Sequence, residues 1–338
     1  MGQLGVELFF VLSGFLIGNI LVRAFMDSDK FSIADMRQFW IRRWFRTLPA
    51  YWLIVTADSL LYIWLHIQSY EYPRFFYYLF IQNLWYPHPR FFFGESWSLS
   101  VEEWFYLTLP ICLYTASRLF KIRNKSKFLM VVFTAYLLVF VGIRFINAFH
   151  PINGPAIDFG IRKVVLFRLD AVMYGVLFAW LQNFRPVLFV GVKNYLLPLS
   201  IAGAMVIYYL LTPEGVALCA SSSTSVFMMN AFFYLFTPLL FSLCLPCANG
   251  IKQINSQFWT RFFTHISKIS YSMYLVHYSL IYIPLSIFSH ARSVRSVSLI
   301  YLCYWVAVLL LSAALYRYFE YPVMQLREQF KMPRTKKA

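Results

Sequence analysis

Charge is what this chain has least of. Asp, Glu, Lys and Arg make up 13% of its 338 residues, with 14 acidic groups against 30 basic ones. Hydrophobic residues reach 60%, well above the roughly 45 to 50% of soluble domains, so a soluble globular fold is excluded and a polytopic membrane protein is expected. Cysteine is scarce too. Five are present, and Cys244 and Cys247 stand as a lone Cys-Leu-Pro-Cys pair, which excludes a disulfide framework and leaves zinc without a second ligand pair. They read as small apolar packers. Gly/Ser linkers, low-complexity tracts and internal repeats are missing, which argues against a second soluble domain. Also absent are a Gly-Lys-Ser/Thr phosphate loop, a Gly-x-Ser-x-Gly elbow and a His-Glu-x-x-His helix. An ATP-driven pump is therefore not expected, nor any metal site. Residues 1–4 have no basic n-region and the run after them has no small-residue cleavage site, so no signal peptide is read.

What is present is a series of apolar runs. Taken at about 20 residues each, they give nine spans near 5–22, 48–66, 97–117, 128–148, 164–182, 195–212, 224–245, 266–288 and 297–316. The stretch 74–85 is apolar but short, and its flank of Trp85, Tyr86, Pro87 and His88 suits a headgroup interface. It is expected to be a re-entrant or interfacial segment. The fold class is thus all-α, a transmembrane helix bundle of about nine spans plus that segment, over 1–326, with a basic cytoplasmic tail at 327–338. Assigning loops alternately to two sides places 22 of the 30 Lys and Arg on one side, which the positive-inside rule makes cytoplasmic. Nine spans with a cytoplasmic C-terminus put Met1 outside, as they would if a helix before Gly5 were missing. The net charge of +16 is dispersed between spans rather than gathered in a patch, so no nucleic-acid partner is expected.

Four groups of residues could carry chemistry. Residues 5–17, Gly-Val-Glu-Leu-Phe-Phe-Val-Leu-Ser-Gly-Phe-Leu-Ile, set one carboxylate, Glu7, at the outer rim of a span. In 36–52, Arg42, Arg43 and Arg46 are interleaved with Trp40, Trp44 and Phe45. At three and four residues apart on a helix, the guanidinium groups can converge on one polyanion, a donor nucleotide or coenzyme A. They can equally anchor the chain to anionic membrane lipid. In 96–106, Glu102 shares a helix face with Ser98, while Glu103 points about 100° away. A carboxylate in a partly dry bundle suits a proton carrier or general base, and one at the interface stays hydrated. In 270–277, Tyr274 and His277 stack on one face that Ser270 continues, a polar stripe about midway through a span. Packing alone would explain an isolated histidine. Arg144, Arg168, Asp170, Asp58 and Glu320 are the other intramembrane charges, and Arg168 and Asp170 are too close in sequence to share a face, so each needs a partner on another helix. His66, His88, His150 and His290 fall in outer loops or rims and read as ordinary polar residues.

In order along the chain, these blocks resemble the acyltransferase family 3 of membrane O-acyltransferases. The resemblance runs through residues 5–17, Arg43-x-x-Arg46 with Pro49 and Tyr51-Trp52, Ser96-Trp97-Ser98-Leu99 with Glu102 and Phe105-Tyr106-Leu107, then Arg168 to Gly175, Ser270-Tyr271 with Tyr274-Leu275 and His277, and Glu320 with Pro322. It implies a bundle of about ten helices that takes an acyl group, often acetyl, from cytoplasmic acyl-CoA. The acceptor would be a hydroxyl on an extracytoplasmic carbohydrate or cell-envelope glycan, and the place the bacterial cytoplasmic membrane.

On that reading Arg42, Arg43 and Arg46 hold the acyl-CoA donor, Glu102 and His277 are the catalytic candidates, and Glu7, Trp97, Arg168, Tyr274 and Glu320 belong to the polar core. Arg168 or Glu320 would complete buried ion pairing. Family members carry an Arg and, about ten residues later, a His held to be the catalytic base, in a helix before the block at residue 5. This sequence has neither, so the resemblance implies either a start placed too late or a truncated chain that could be inactive as given, and loop charge points independently to the same missing span. A transporter or flippase for a lipid-linked sugar is the alternative reading, which an internal repeat between halves would favour.

Overall fold

The computed structural model describes residues 2–27, 31–66, 73–89, 92–149, 158–210, 212, 215, 227–251, 256–288 and 294–330. His150, His290, the first residues of the expected span at 224–245 and the tail from 331 lie outside them. Among the described residues there is no strand. Four helices are long and apolar enough to cross a membrane, at Leu4–Asp27, Lys125–Phe149, Ala231–Gly250 and Val297–Gln329. The chain is an all-α membrane protein, and it divides into two compact units.

The first unit contains residues 1–36, 83–88 and 97–253. Its helices include α1 (Gly2–Asp27), most of α4 (Ser96–Leu119), α5 (Lys125–Phe149), α6 (Leu169–Phe184), α7 (Pro186–Gly191) and α8 (Lys193–Leu210), followed by α9 (Tyr234–Ser242) and α10 (Leu245–Gly250). The start of α2 (Ile33–Trp64) belongs here as well. It begins at a reciprocal cap: Asp35 Oδ2 accepts from the Ser32 amide at 2.9 Å and the Ser32 hydroxyl accepts from the Asp35 amide at 3.2 Å, satisfying two of the first turn's free donors.

Helices α1 and α6 pack along much of their lengths, and two glycines permit it. A methyl group on Gly14 would collide with the Val172 carbonyl, and one on Gly175 with the Val11 carbonyl. Close backbone approach between apolar helices is what small residues at a crossing allow in a membrane, where burial from water supplies no driving force. Around the crossing, Val11, Phe15, Ala179, Phe189 and Leu245 form one apolar cluster, and Ile161, Val164, Phe167, Ile207, Phe233 and Tyr234 another.

The second unit contains residues 37–82, 89–96 and 254–338. It holds the rest of α2, the single turn α3 (Phe75–Tyr78), α11 (Gln257–Val276), α12 (Ile283–Phe288), α13 (Val294–Leu315) and α14 (Tyr321–Leu326). The short apolar stretch after residue 73 makes that one turn and then a series of bends rather than a helix. Aromatic side chains fix it. Tyr51 donates to the Tyr77 carbonyl at 3.0 Å, Tyr77 donates to the Phe92 carbonyl at 3.2 Å, and the Tyr51 ring lies 4.3 Å from Phe80 and 5.4 Å from Phe93. Phe93 sits at φ 42°, a backbone conformation a bulky residue adopts only when its surroundings enforce it. The Ser96 amide then closes on the Phe93 carbonyl at 3.0 Å. Residue 95 is thereby presented from a tightly held turn.

In the segment around 277 the helix does not continue regularly. A π-helical turn, His277–Tyr282, separates α11 from α12. Inserting an extra residue into a turn shifts the face of everything beyond it, and such turns gather at functional sites.

Candidate functional site

In the first unit the polar residues form a paired cluster. Arg168, at the start of α6, is bound to Glu7 of α1, and Arg144 of α5 reaches Asp170 at 2.6 Å. Both arginines also donate to the Tyr234 carbonyl at 3.4 Å, and the Arg168 guanidinium lies 4.4 Å from the Tyr234 ring centre. The two neighbours Arg168 and Asp170 thus find partners on different helices, as their spacing requires. Glu7, expected in the polar core, is 2% exposed, because α1 lies against α6 where the Arg168 charge can hold its carboxylate. A buried carboxylate without such a partner would cost several kcal/mol, on the order of the desolvation of one ion.

Above these pairs, Trp97 is buried with its ring edge-on to Phe10 at 5.9 Å and the Arg162 guanidinium 4.9 Å from its centre. Asn83 fixes the residue, donating to the Trp97 carbonyl at 3.2 Å and to the Lys163 carbonyl at 2.8 Å. Glu102 accepts from the Tyr106 hydroxyl at 2.8 Å, and Tyr106 is 2.7 Å from Ser13. Since the one Tyr106 proton goes to Glu102, Ser13 must donate to Tyr106. Neither Glu102 nor Glu103 stays hydrated at an interface; both are buried, because the first turn of α4 is packed inside the unit. His88 lies in a loop, as expected, and is buried there.

In the second unit the centre is His277. Its Nδ1 lies 2.8 Å from the Tyr274 carbonyl. A carbonyl can only accept, so Nδ1 carries the proton and the neutral ring keeps its lone pair on Nε2. No described residue forms a hydrogen bond to Nε2, and the side chain is half-buried. The Tyr274 ring lies 5.6 Å away, on the same face as the spacing implied.

Glu95 brackets this histidine from both sides. Its backbone carbonyl accepts from the Tyr274 hydroxyl at 2.8 Å, three residues before His277. Its carboxylate accepts from the Ser279 amide at 3.1 Å and the Ser279 hydroxyl at 2.6 Å, two residues after. Burial raises the Glu95 carboxyl to about 7, against the opposing pull of the Ser279 bonds. Asp58 of α2 is fully buried beside Glu95 and Ser279, yet neither of its oxygens meets a donor at hydrogen-bonding geometry, since the Ser279 proton is committed to Glu95.

Sequence reasoning missed Glu95. The signal available was an acid directly before the Ser96-Trp97 block in a chain where acids are scarce. The expected polar stripe is also corrected. Ser270 is exposed and turns back to the Ser267 carbonyl at 2.9 Å. It is Ser279 that joins the histidine, brought round by the π-helical turn. Ser272 donates instead to Glu320, so Glu320 is held by a hydroxyl, while it is Arg168 that takes part in buried ion pairing, with Glu7.

The three arginines expected at a donor site lie on the continuous helix α2, with Arg42 and Arg43 half-buried and Arg46 exposed. Arg46 is near enough for its charge to act on Glu320, and the Tyr271 hydroxyl donates to the Thr47 carbonyl at 2.8 Å. One turn of α2 is thus joined to α11. Among the described residues no group of three His, Cys, Asp or Glu could hold a metal ion.

Residues 1–317 match the family described as "Acyltransferase domain". A protein of Staphylococcus aureus strain COL, provisionally named an O-acetyltransferase, is 30% identical over 194 residues, which is 53% of this chain and 30% of that protein. The peptidoglycan O-acetyltransferase OatA of Listeria monocytogenes is 30% identical over 168 residues, 44% of this chain and 26% of its own length. The O-acetyltransferase OatA of Staphylococcus aureus strain NCTC 8325 is 28% identical over 195 residues, again 53% of this chain and 30% of its own. The matched stretch is therefore under a third of each relative. No solved structure matches the chain.

Proposed function

We propose that this chain, which belongs to the acyltransferase domain family, moves an acyl group from acyl-CoA to a hydroxyl of an extracytoplasmic glycan. The relatives' names support acetyl as the group, and the Listeria relative's name supports peptidoglycan as the kind of acceptor. The basic loops favour a bacterial cytoplasmic membrane with the C-terminus inside.

The observation that carries this reading is His277, with its Nδ1 proton given to the Tyr274 carbonyl and its Nε2 lone pair unoccupied. In the transfer, Nε2 takes the proton of the acceptor hydroxyl as that oxygen attacks the thioester carbonyl carbon. The carbon–sulfur bond breaks, the acyl group stays on the acceptor oxygen, and the thiolate takes up the proton released by the imidazolium. Glu95 keeps the imidazole in place through Tyr274 and Ser279, which lowers the entropic cost of a productive approach.

Arg42, Arg43 and Arg46 hold the phosphates of the donor from one face of α2, where planar guanidinium forks suit phosphate oxygens. Glu102, at the end of the Ser13–Tyr106 hydroxyl chain, carries or orients a proton in the other unit.

The test is transfer of labelled acetyl from acetyl-CoA to envelope glycan in membranes containing the chain. The Arg43→Ala, Arg46→Ala double variant is expected to weaken acetyl-CoA binding by at least about tenfold, equivalent to two lost charge-assisted bonds. Unchanged binding would remove these arginines from the donor site. Donor binding with no transfer would assign the chain a binding role in place of catalysis.

A further inference from the structure

Between α4 and α5, within the first unit, lies a groove of about 900 Å³. The helices meet where Thr108 and Tyr136 share a hydrogen bond of 2.8 Å and again at their connecting turn, and the groove opens between the two contacts. Its walls are apolar, with Ala116 and Leu119 on one side and Val132, Ala135 and Val139 on the other. Its mouth at the turn is lined by Lys121, Arg123 and Lys127. No carboxylate lines it, and none of the three cations forms an ion pair with a described residue. Basic residues in this turn were read from the sequence as orientation signals, a role that does not require them to surround a cavity.

We propose that this groove is a binding site for an anionic phospholipid, with an acyl chain along α4 and α5 and the phosphate at Lys121, Arg123 and Lys127. Length selects this occupant. From Lys127 to Phe140 the lining of α5 advances about 20 Å at 1.5 Å per residue. A bilayer core is about 30 Å thick, so one leaflet is about 15 Å. The groove therefore matches the depth of a single lipid and is too short for a second spanning helix. Charge selects the headgroup, because three unpaired cations at one end of an apolar trough complement a phosphate that carries its own hydrocarbon. At the closed end, the Thr108 and Tyr136 hydroxyls satisfy one another, so a hydrocarbon chain meets no orphaned polar group there.

The experiment uses the whole chain in phosphatidylcholine nanodiscs and measures the association of spin-labelled phosphatidylglycerol against spin-labelled phosphatidylcholine. Phosphatidylglycerol is expected to be favoured by on the order of a hundredfold, the summed pull of three juxtamembrane cations on an anionic lipid. The Lys121→Gln, Arg123→Gln, Lys127→Gln variant should lose that preference. Ala135→Phe, an exposed position, should reduce association of both lipids at an unchanged melting temperature. Equal association of the two lipids with the native chain would overturn the proposal, as would a preference that survives the triple variant. Displacement of the labelled lipid by millimolar inorganic phosphate would reassign the mouth as a free-phosphate site, and displacement by acetyl-CoA would reassign the groove to the donor; either result overturns it.

Discussion

The arginine-paired acids of the first unit and the acids around His277 in the second bury charge in different ways, and Glu102 of the first unit, held by the Tyr106 hydroxyl, resembles the latter. In the first, Glu7 and Asp170 each face an arginine, Arg168 and Arg144, and the pairs tie α1 and α5 to α6. In the second, Glu95 and Glu320 take their hydrogen bonds from Ser279 and Ser272, and Asp58 meets no donor at hydrogen-bonding geometry. A carboxylate facing a guanidinium has gained a counter-charge in exchange for hydration, and the pair acts as a clasp whose halves depend on each other. A buried carboxyl whose lost hydration outweighs its hydroxyl bond takes up a proton near neutrality, as at Glu95. The arrangement next to a histidine with a free lone pair is suited to chemistry; the paired one is suited to holding helices together.

Breaking a clasp should have the largest effect. Arg168→Met leaves the Glu7 carboxylate buried without its partner and is expected to destabilise the first unit by about 3 to 5 kcal/mol. Melting in detergent should show a marked fall, and the Glu7→Gln, Arg168→Met double variant should recover part of it. A melting temperature that ignores Arg168→Met would make the pair incidental and erase half of the contrast.

Next is the pH response of the second unit. Because the Glu95 carboxyl is raised from 4.5 to about 7 in the folded chain, the native state holds a proton in that interval that the unfolded chain has released. Stability should therefore fall as pH rises from about 4.5 to 7 and level off above. Glu95→Gln should flatten that part of a melting-temperature profile, and a profile with its slope intact would show that another group is responsible. The smallest effect expected is at Ser272. Removing its bond to Glu320 by Ser272→Ala should cost about 1 to 3 kcal/mol, the range for a lost donor to a buried carboxyl, read by chemical denaturation. A larger loss than at Arg168 would invert the contrast.

Much of the clasp was legible in the sequence. Two charges two residues apart on a helix cannot share a face, so partners elsewhere were required, and Arg168 and Asp170 have them. That Glu7 is one such partner was not legible, since its place near the start of a run put it at a rim, and burial came from the glycine crossing of α1 on α6. The same local view left open whether Glu102 and Glu103 stay hydrated, and packing around the first turn of α4 encloses both.

Tyr274 and His277 share a face by ordinary helical spacing, and they do in the structure. Glu95 lay out of reach because its bonds join residues 184 positions apart, and no periodicity encodes such a contact. Ser279 was hidden for a second reason. The π-helical turn shifts the register from His277 onward, so a regular helix extrapolated past it misplaces the serine that binds Glu95.

The contrast between holding and reacting is tested most directly by one paired measurement on His277→Ala, acetyl transfer and thermal melting in the same membranes. Transfer is expected to fall by about 10²- to 10⁴-fold, the usual contribution of a positioned base, with melting unchanged. Transfer at the native level would contradict the account.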